Sequence, residues 1–223
     1  MEALFRELPW FLRGVGVAVE VLLGVMGLGL FLGLGAAMLQ VYGPPPVPFL
    51  VTIVERILRG IPPIVLLLLI FYLPWNLPPL LVAILGLGLC SAAYQSQIFR
   101  TAFLSVAVEE IEAARALGMS GPQSLFHVVL PQAVRRALGP WSNELASEIK
   151  DTSLAYIVGV VEILRQARYV ISYTYGNSLL VFGFCALIYF LLTRLGNSLL
   201  FRLERRLWVP GFVNRQGRLP TRR

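Results

Sequence analysis

The residues able to do covalent chemistry are few and scattered. His127 is the single histidine among 223 residues, and an imidazole without a second ligand or an acid beside it is far more often a solvated or packed side chain than a base or a metal ligand. Cys90 and Cys185 both sit inside apolar runs without metal-ligand spacing, and read as small packing residues. Lys150, the sole lysine, follows Glu148 and Ile149, so no GxxxxGK[ST] loop is present to cradle a phosphate. These residues form no catalytic constellation and no metal set, and the chain is expected not to be an enzyme.

One stretch is polar where its surroundings are not. From Glu112 to Pro131 the sequence reads EAARALGMSGPQSLFHVVLP. Residues from about Val108 to Leu117 are mostly strong helix formers, and Gly118 stands where a C-terminal glycine ends a helix. Ser120 can cap a second helix while Gln123 reaches back in a capping box, Pro122 is tolerated in the first turn, and Pro131 is expected to end it. Helix, glycine, capped helix and proline predict a compact exposed knob.

The rest of the chain is lipid-compatible. It is 57% hydrophobic and 14% charged, with a mean hydropathy of +0.74, whereas soluble domains carry about 25% charged residues. The net charge of +7 comes from arginines flanking apolar segments, which sets orientation in a bilayer and argues against a nucleic-acid partner. The predicted fold is all-α, with five transmembrane helices: Val21 to Leu39, Phe49 to Leu73, Leu80 to Phe99, Ala133 to Gly159 and Tyr169 to Thr193. Gly29 and Gly33 share a face of the first span and should admit a close neighbour, and Gly86, Gly88, Ser91, Ala92 and Ala93 make one side of the third span small. The fourth span carries Arg135, Arg136, Glu144, Glu148, Lys150 and Asp151. A span this polar must be buried in protein or broken where it lines a cavity.

Arginine placement predicts the topology. Arg56 with Arg59, Arg135 with Arg136, and the arginine-rich tail belong on the cytoplasmic side, and the uncharged turn from Pro74 to Pro79 on the other. The N-terminus is then outside, the C-terminus inside, and the knob cytoplasmic. The organisation expected is an interfacial segment over 1–13 with Trp10 and Phe11 at the lipid boundary, a membrane domain over 14–207 with its cytoplasmic loop at 108–131, and a basic tail over 208–223.

The order EAARALG, the apolar and aromatic positions Leu125, Phe126, Val128 and Val129, and the Leu130–Pro131 pair resemble the EAA loop of permease subunits of bacterial ABC importers. RGIPPIVLLLLIFYLP (59–74), AAYQSQIFRTAF (92–103), PQAVRRALGPWSNE (131–144) and KDTSLAYIVGVVEI (150–163) resemble the polar amino-acid branch of that family, and the likeness spans nearly the whole chain. Departures are Gln97 where relatives usually show glutamate, Thr101 for a glycine, and Glu109, Glu110 and Ile111 where a Gly-Gln pair usually precedes the EAA motif.

The resemblance implies an inner-membrane permease subunit that moves a small amino acid through the bilayer beside a second permease subunit, either a copy of itself or a similar chain. It implies an ATP-binding partner subunit that holds ATP and Mg, no cofactor in this chain, and an extracytoplasmic solute-binding protein. Glu112, Ala113, Ala114, Arg115, Gly118, Ser120, Phe126 and Pro131 would form a coupling helix pair contacting the ATPase. Substrate-path candidates are Gln97, Arg100, Thr101, Asn143, Asp151, Thr152, Glu162 and Arg165, since an α-amino acid needs a cation for its carboxylate and an anion or carbonyls for its amine. Lys150 and Asp151, adjacent and therefore pointing apart, read first as charges that pin the span through partners elsewhere. The alternative is a passive channel or facilitator gated by the knob.

Overall fold

The computed structural model describes residues 7–174 and 178–207, and every regular element among them is helical. The first helix, α1 (Leu8–Tyr42), begins with Pro9 in its first turn and ends at Gly43, whose amide bonds Leu39 O at 3.0 Å. It starts well before the apolar run because nothing between Leu8 and Val21 breaks a helix. Phe11 does not lie at a lipid boundary: it is fully buried, edge-on to Phe184 with ring centroids 5.2 Å apart, while Trp10 is exposed beneath the Arg13 guanidinium.

The expected second span is two helices, α2 (Val47–Gly60) and α3 (Pro63–Phe71), separated at Ile61 and Pro62. Proline disfavours the helical conformation in the residue before it, and two consecutive prolines at 62 and 63 enforce the break. α4 (Pro79–Leu104) follows, its small side packed on α1. Ser91, Ala92, Ala93, Gln95 and Ser96 are all buried there.

The knob holds α5 (Val108–Ala116) and the single turn α6 (Gly121–Ser124). Gly118 takes φ +85°. Its amide bonds Arg115 O at 2.9 Å and the Met119 amide bonds Ala114 O at 3.1 Å, the paired bonds of a Schellman ending that only a left-handed residue can close. Gln123 Oε1 accepts the Ser120 amide at 2.8 Å, as the capping-box spacing predicts.

Pro131 does not end the second helix. Residues Leu125–Val129 form a π-helical turn, in which the Leu130 amide reaches back to Leu125 O, and the chain runs on into α7 (Leu130–Asp151). A wide turn opens the helix just ahead of the ring, and Pro131, in the first turn of α7, has no amide that needs a partner. The helix changes at Thr152 to a 3₁₀ segment (Thr152–Val158) that Gly159 closes at φ +105°.

The expected last span draws on two described helices. Tyr169 belongs to α8 (Ile163–Thr174), and α9 runs Ser178–Leu207; residues 175–177, the tail beyond 207 and the first six residues lie outside the described residues. α8 is held by Ile163, Ala167 and Val170, which join Phe11, Ala18, Val181 and Cys185 in one buried cluster. Among the described residues three helices are long and apolar enough to cross a membrane, namely α1, α4 and α9.

Candidate functional site

The polar α7 is amphipathic around a cavity. Glu144, Glu148 and Asp151 recur at i, i+4 and i+7, which places three carboxyl groups on one helical stripe. With Ser147 they face Cys90, Tyr94 and Leu87 of α4 and Pro63 of α3 across a cavity of about 200 Å³. No basic side chain is in this lining. Glu148 is buried, and Ser91 donates its hydroxyl to Glu144 Oε1 at 3.3 Å.

The carboxyl groups are backed by a buried relay. Trp141 Nε1 donates to Gln95 Oε1 at 2.8 Å, and Gln95 Nε2 donates to Ser91 Oγ at 3.0 Å. With both of its own groups committed, Gln95 leaves the Ser91 hydrogen free to point at Glu144. Gln95 and Ser91 are fully buried, so the relay exists only because α1 approaches α4 closely enough to exclude water from it. Such a network is worth having only when each member is satisfied.

Of the eight polar positions expected along a substrate path, only Asp151 lines this cavity. Thr101 bonds Gln97 O on its own helix at 2.8 Å and Thr152 bonds Ile149 O at 2.8 Å. Asn143 is exposed, and Gln97 and Arg100 are half-buried on the last turns of α4. Lys150 is exposed, and no ion pair within 4 Å joins it or Asp151 to another of the described residues. Glu144 and Glu148 were the residues missed, although their spacing to Asp151 was visible as a helical stripe in the sequence.

Glu162 and Arg165 do not form a charge pair. Fully buried Glu162 caps α8: Oε2 accepts the Leu164 amide at 2.8 Å and Oε1 the Arg165 amide at 2.9 Å, while Tyr189 donates its hydroxyl to Oε2 at 2.6 Å. The Arg165 guanidinium turns away to Tyr156 O and Tyr169 Oη, both at 2.9 Å. Replacing Glu162 by alanine orphans two amides and a buried hydroxyl, so thermal unfolding in detergent is expected to show a loss of about 3 kcal/mol. An unchanged melting temperature would mean the cap is dispensable.

On the knob, Glu112, Ala113, Arg115, Gly118, Ser120, Phe126 and Pro131 are exposed and Ala114 is buried. Glu112 and Arg115 make no ion pair among the described residues. Leu117 is 82% and Phe126 60% exposed, so a polar projection presents two large apolar side chains.

Comparison with known proteins decides the family. Residues 29–209 match the model of the binding-protein-dependent transport system inner membrane component. The chain belongs to this family. Among the transport-system relatives, the glutamine transport system permease protein GlnP of Escherichia coli (strain K12) is 32% identical over 216 residues, covering 93% of this chain and 97% of the relative. The L-cystine transport system permease protein TcyB of Bacillus subtilis (strain 168) is 32% identical over 210 residues, covering 92% and 90%. A solved amino acid ABC transporter with histidines superposes with a TM-score of 0.84 at 28% identity, over 91% of this chain and 96% of that one. The MetNI methionine ABC transporter shares the fold, with a TM-score of 0.79 at 21% identity over 91% and 98%. Members of this transport-system family are membrane components, and the catalytic work of ATP hydrolysis lies in a partner subunit.

Proposed function

We propose that this chain is the permease subunit of an ATP-driven amino-acid importer, and that the Glu144, Glu148 and Asp151 cavity receives the cationic end of the substrate. The observation that carries the reading is a cavity with three carboxyl groups and no basic lining residue, set in a helix that belongs to a membrane component. Like charges held together in a low dielectric repel, and a bound ammonium or guanidinium is the counter-ion such a cluster lacks. The names of the full-length relatives, which handle glutamine and cystine, support an amino acid as the class of substrate.

In this reading the chain crosses the bilayer five times, with the N-terminus outside and the C-terminus in the cytoplasm. α2 with α3, and α7 with its 3₁₀ extension, supply the two crossings that composition alone does not mark. The broken backbone at Ile61 and at Thr152 adjoins Pro63 and Asp151 of the cavity lining, a setting in which irregular backbone is tolerated at membrane depth. The knob docks on an ATP-binding subunit through Leu117 and Phe126, a second permease subunit completes the path, and a soluble binding protein delivers the amino acid outside. ATP and Mg are held by the partner.

Reconstitution tests it. The chain alone is expected to hydrolyse no ATP, and the complex with its ATP-binding subunit to hydrolyse ATP faster with loaded binding protein and to accumulate labelled amino acid. Uptake that runs equally well without ATP would overturn the reading.

A further inference from the structure

The π-helical turn at Leu125–Val129 joins the knob directly to the cavity-bearing helix. A single wide turn has poorer hydrogen-bond geometry and is a natural site of bending. Four polar side chains bridge it. Gln132, on the first turn of α7, donates through Nε2 to Glu110 Oε2 on α5 and accepts Arg136 Nη2 at Oε1 at 3.3 Å. Arg136, one turn further, donates through Nη1 to the carbonyl oxygen of Ser105 and, at 3.0 Å, to its hydroxyl. Ser105 is the residue that ends α4, where carbonyls have no partner within the helix and a cation meets the negative end of the helix dipole.

The chain Glu110, Gln132, Arg136, Ser105 therefore ties α5, α7 and the end of α4 together around the turn. Beneath it Val106, Val129, Ala133 and Ala137 are buried with Ala102 and Phe103, so the clasp closes over a packed contact. Arg136 lies eight residues before Glu144, about 12 Å along a helix, and α7 runs on between them through Pro140, so a tilt at its level is passed along the same helix toward the carboxyl groups.

We propose that this clasp makes the knob and α7 move as one body, and that Arg136 is a positioning residue through which displacement of the knob reaches the cavity. The proposal rests on the coupling role given to the knob above. It is tested in the full complex reconstituted in liposomes, by the number of amino-acid molecules accumulated per ATP hydrolysed. Arg136→Ala and Glu110→Ala are each expected to lower this ratio roughly tenfold while ATP hydrolysis stays within about twofold of the unaltered complex. Arg136→Lys, which keeps one donor for Ser105, should recover part of the loss. A ratio unchanged in both alanine variants would overturn the clasp.

A second measurement covers failure to assemble and separates the two ideas. Spin labels at exposed Leu117 and Lys150, read by pulsed electron resonance, should report a narrow distance distribution in the unaltered chain and a broad one in Arg136→Ala and Glu110→Ala. Equal widths overturn the proposal whatever the transport result. An unaltered complex that moves no amino acid in response to ATP counts instead against the functional reading.

Discussion

Glu148→Gln is expected to abolish concentrative uptake while leaving ATP-bound assembly intact. Glu148 is the most buried of the three cavity carboxyl groups and stands between Glu144 and Asp151 on the same stripe. A unit charge pair about 4 Å apart is worth roughly 4 kcal/mol at the effective dielectric of a protein site. Part of that is returned as desolvation, and a net loss of about 2 to 3 kcal/mol weakens binding by roughly 30- to 150-fold. Glutamine has nearly the same shape, so the change removes charge without opening a void. Binding of labelled substrate to the purified complex measures it, and an unchanged affinity would show that the cationic group sits elsewhere. Asn143→Ala, on the same helix but exposed, is the matched control and should change little.

Gly33→Val is expected to destabilise the chain by about 3 kcal/mol or more, because overpacking here meets backbone. A Cβ at Gly33 would lie 2.9 Å from both Ala92 O and Ser96 N, and 3.0 Å from Gln95 Cβ. None of these atoms belongs to a side-chain tip that can swing aside, so α1 must lift from α4. The lift also exposes Gln95, whose amide holds the Ser91 hydroxyl against Glu144, so substrate binding should fall with stability. Gly35→Val is the control: a Cβ there meets nothing within 4 Å, and it carries the same intrinsic helix cost. Comparable thermal unfolding of the two variants in detergent would refute the close-approach argument.

Gly33 was readable in advance because spacing of small residues on a helix face is a local property with one common use. The knob was equally readable, down to the left-handed Gly118 and the Gln123 reach, since caps and turns depend on a few consecutive residues. Its end was misjudged at Pro131, where a π-helical turn lets the helix continue. The apolar run from Tyr169 to Thr193 is shared between α8 and α9, and the path candidates Glu162 and Arg165 are bonded as a cap and a separate cation. Partners far away in sequence complete the last two: Tyr189 donates to Glu162 beside its two local amides, and Phe11 with Ala18 packs against α8.

By itself the sequence determined composition, period and local chemistry: an all-helical membrane chain, a capped polar knob, a small-residue seam, and the lack of any phosphate loop, together with a resemblance that the family match bears out. Tertiary structure alone decided which polar groups share a space. It set the stripe of Glu144, Glu148 and Asp151 across from Cys90 and Tyr94, left Glu162 and Arg165 outside that cavity, and placed Arg136 on the end of α4. The physical reason is that helix periodicity says which way a side chain points around its own axis. What stands opposite it depends on how whole helices break, turn and pack.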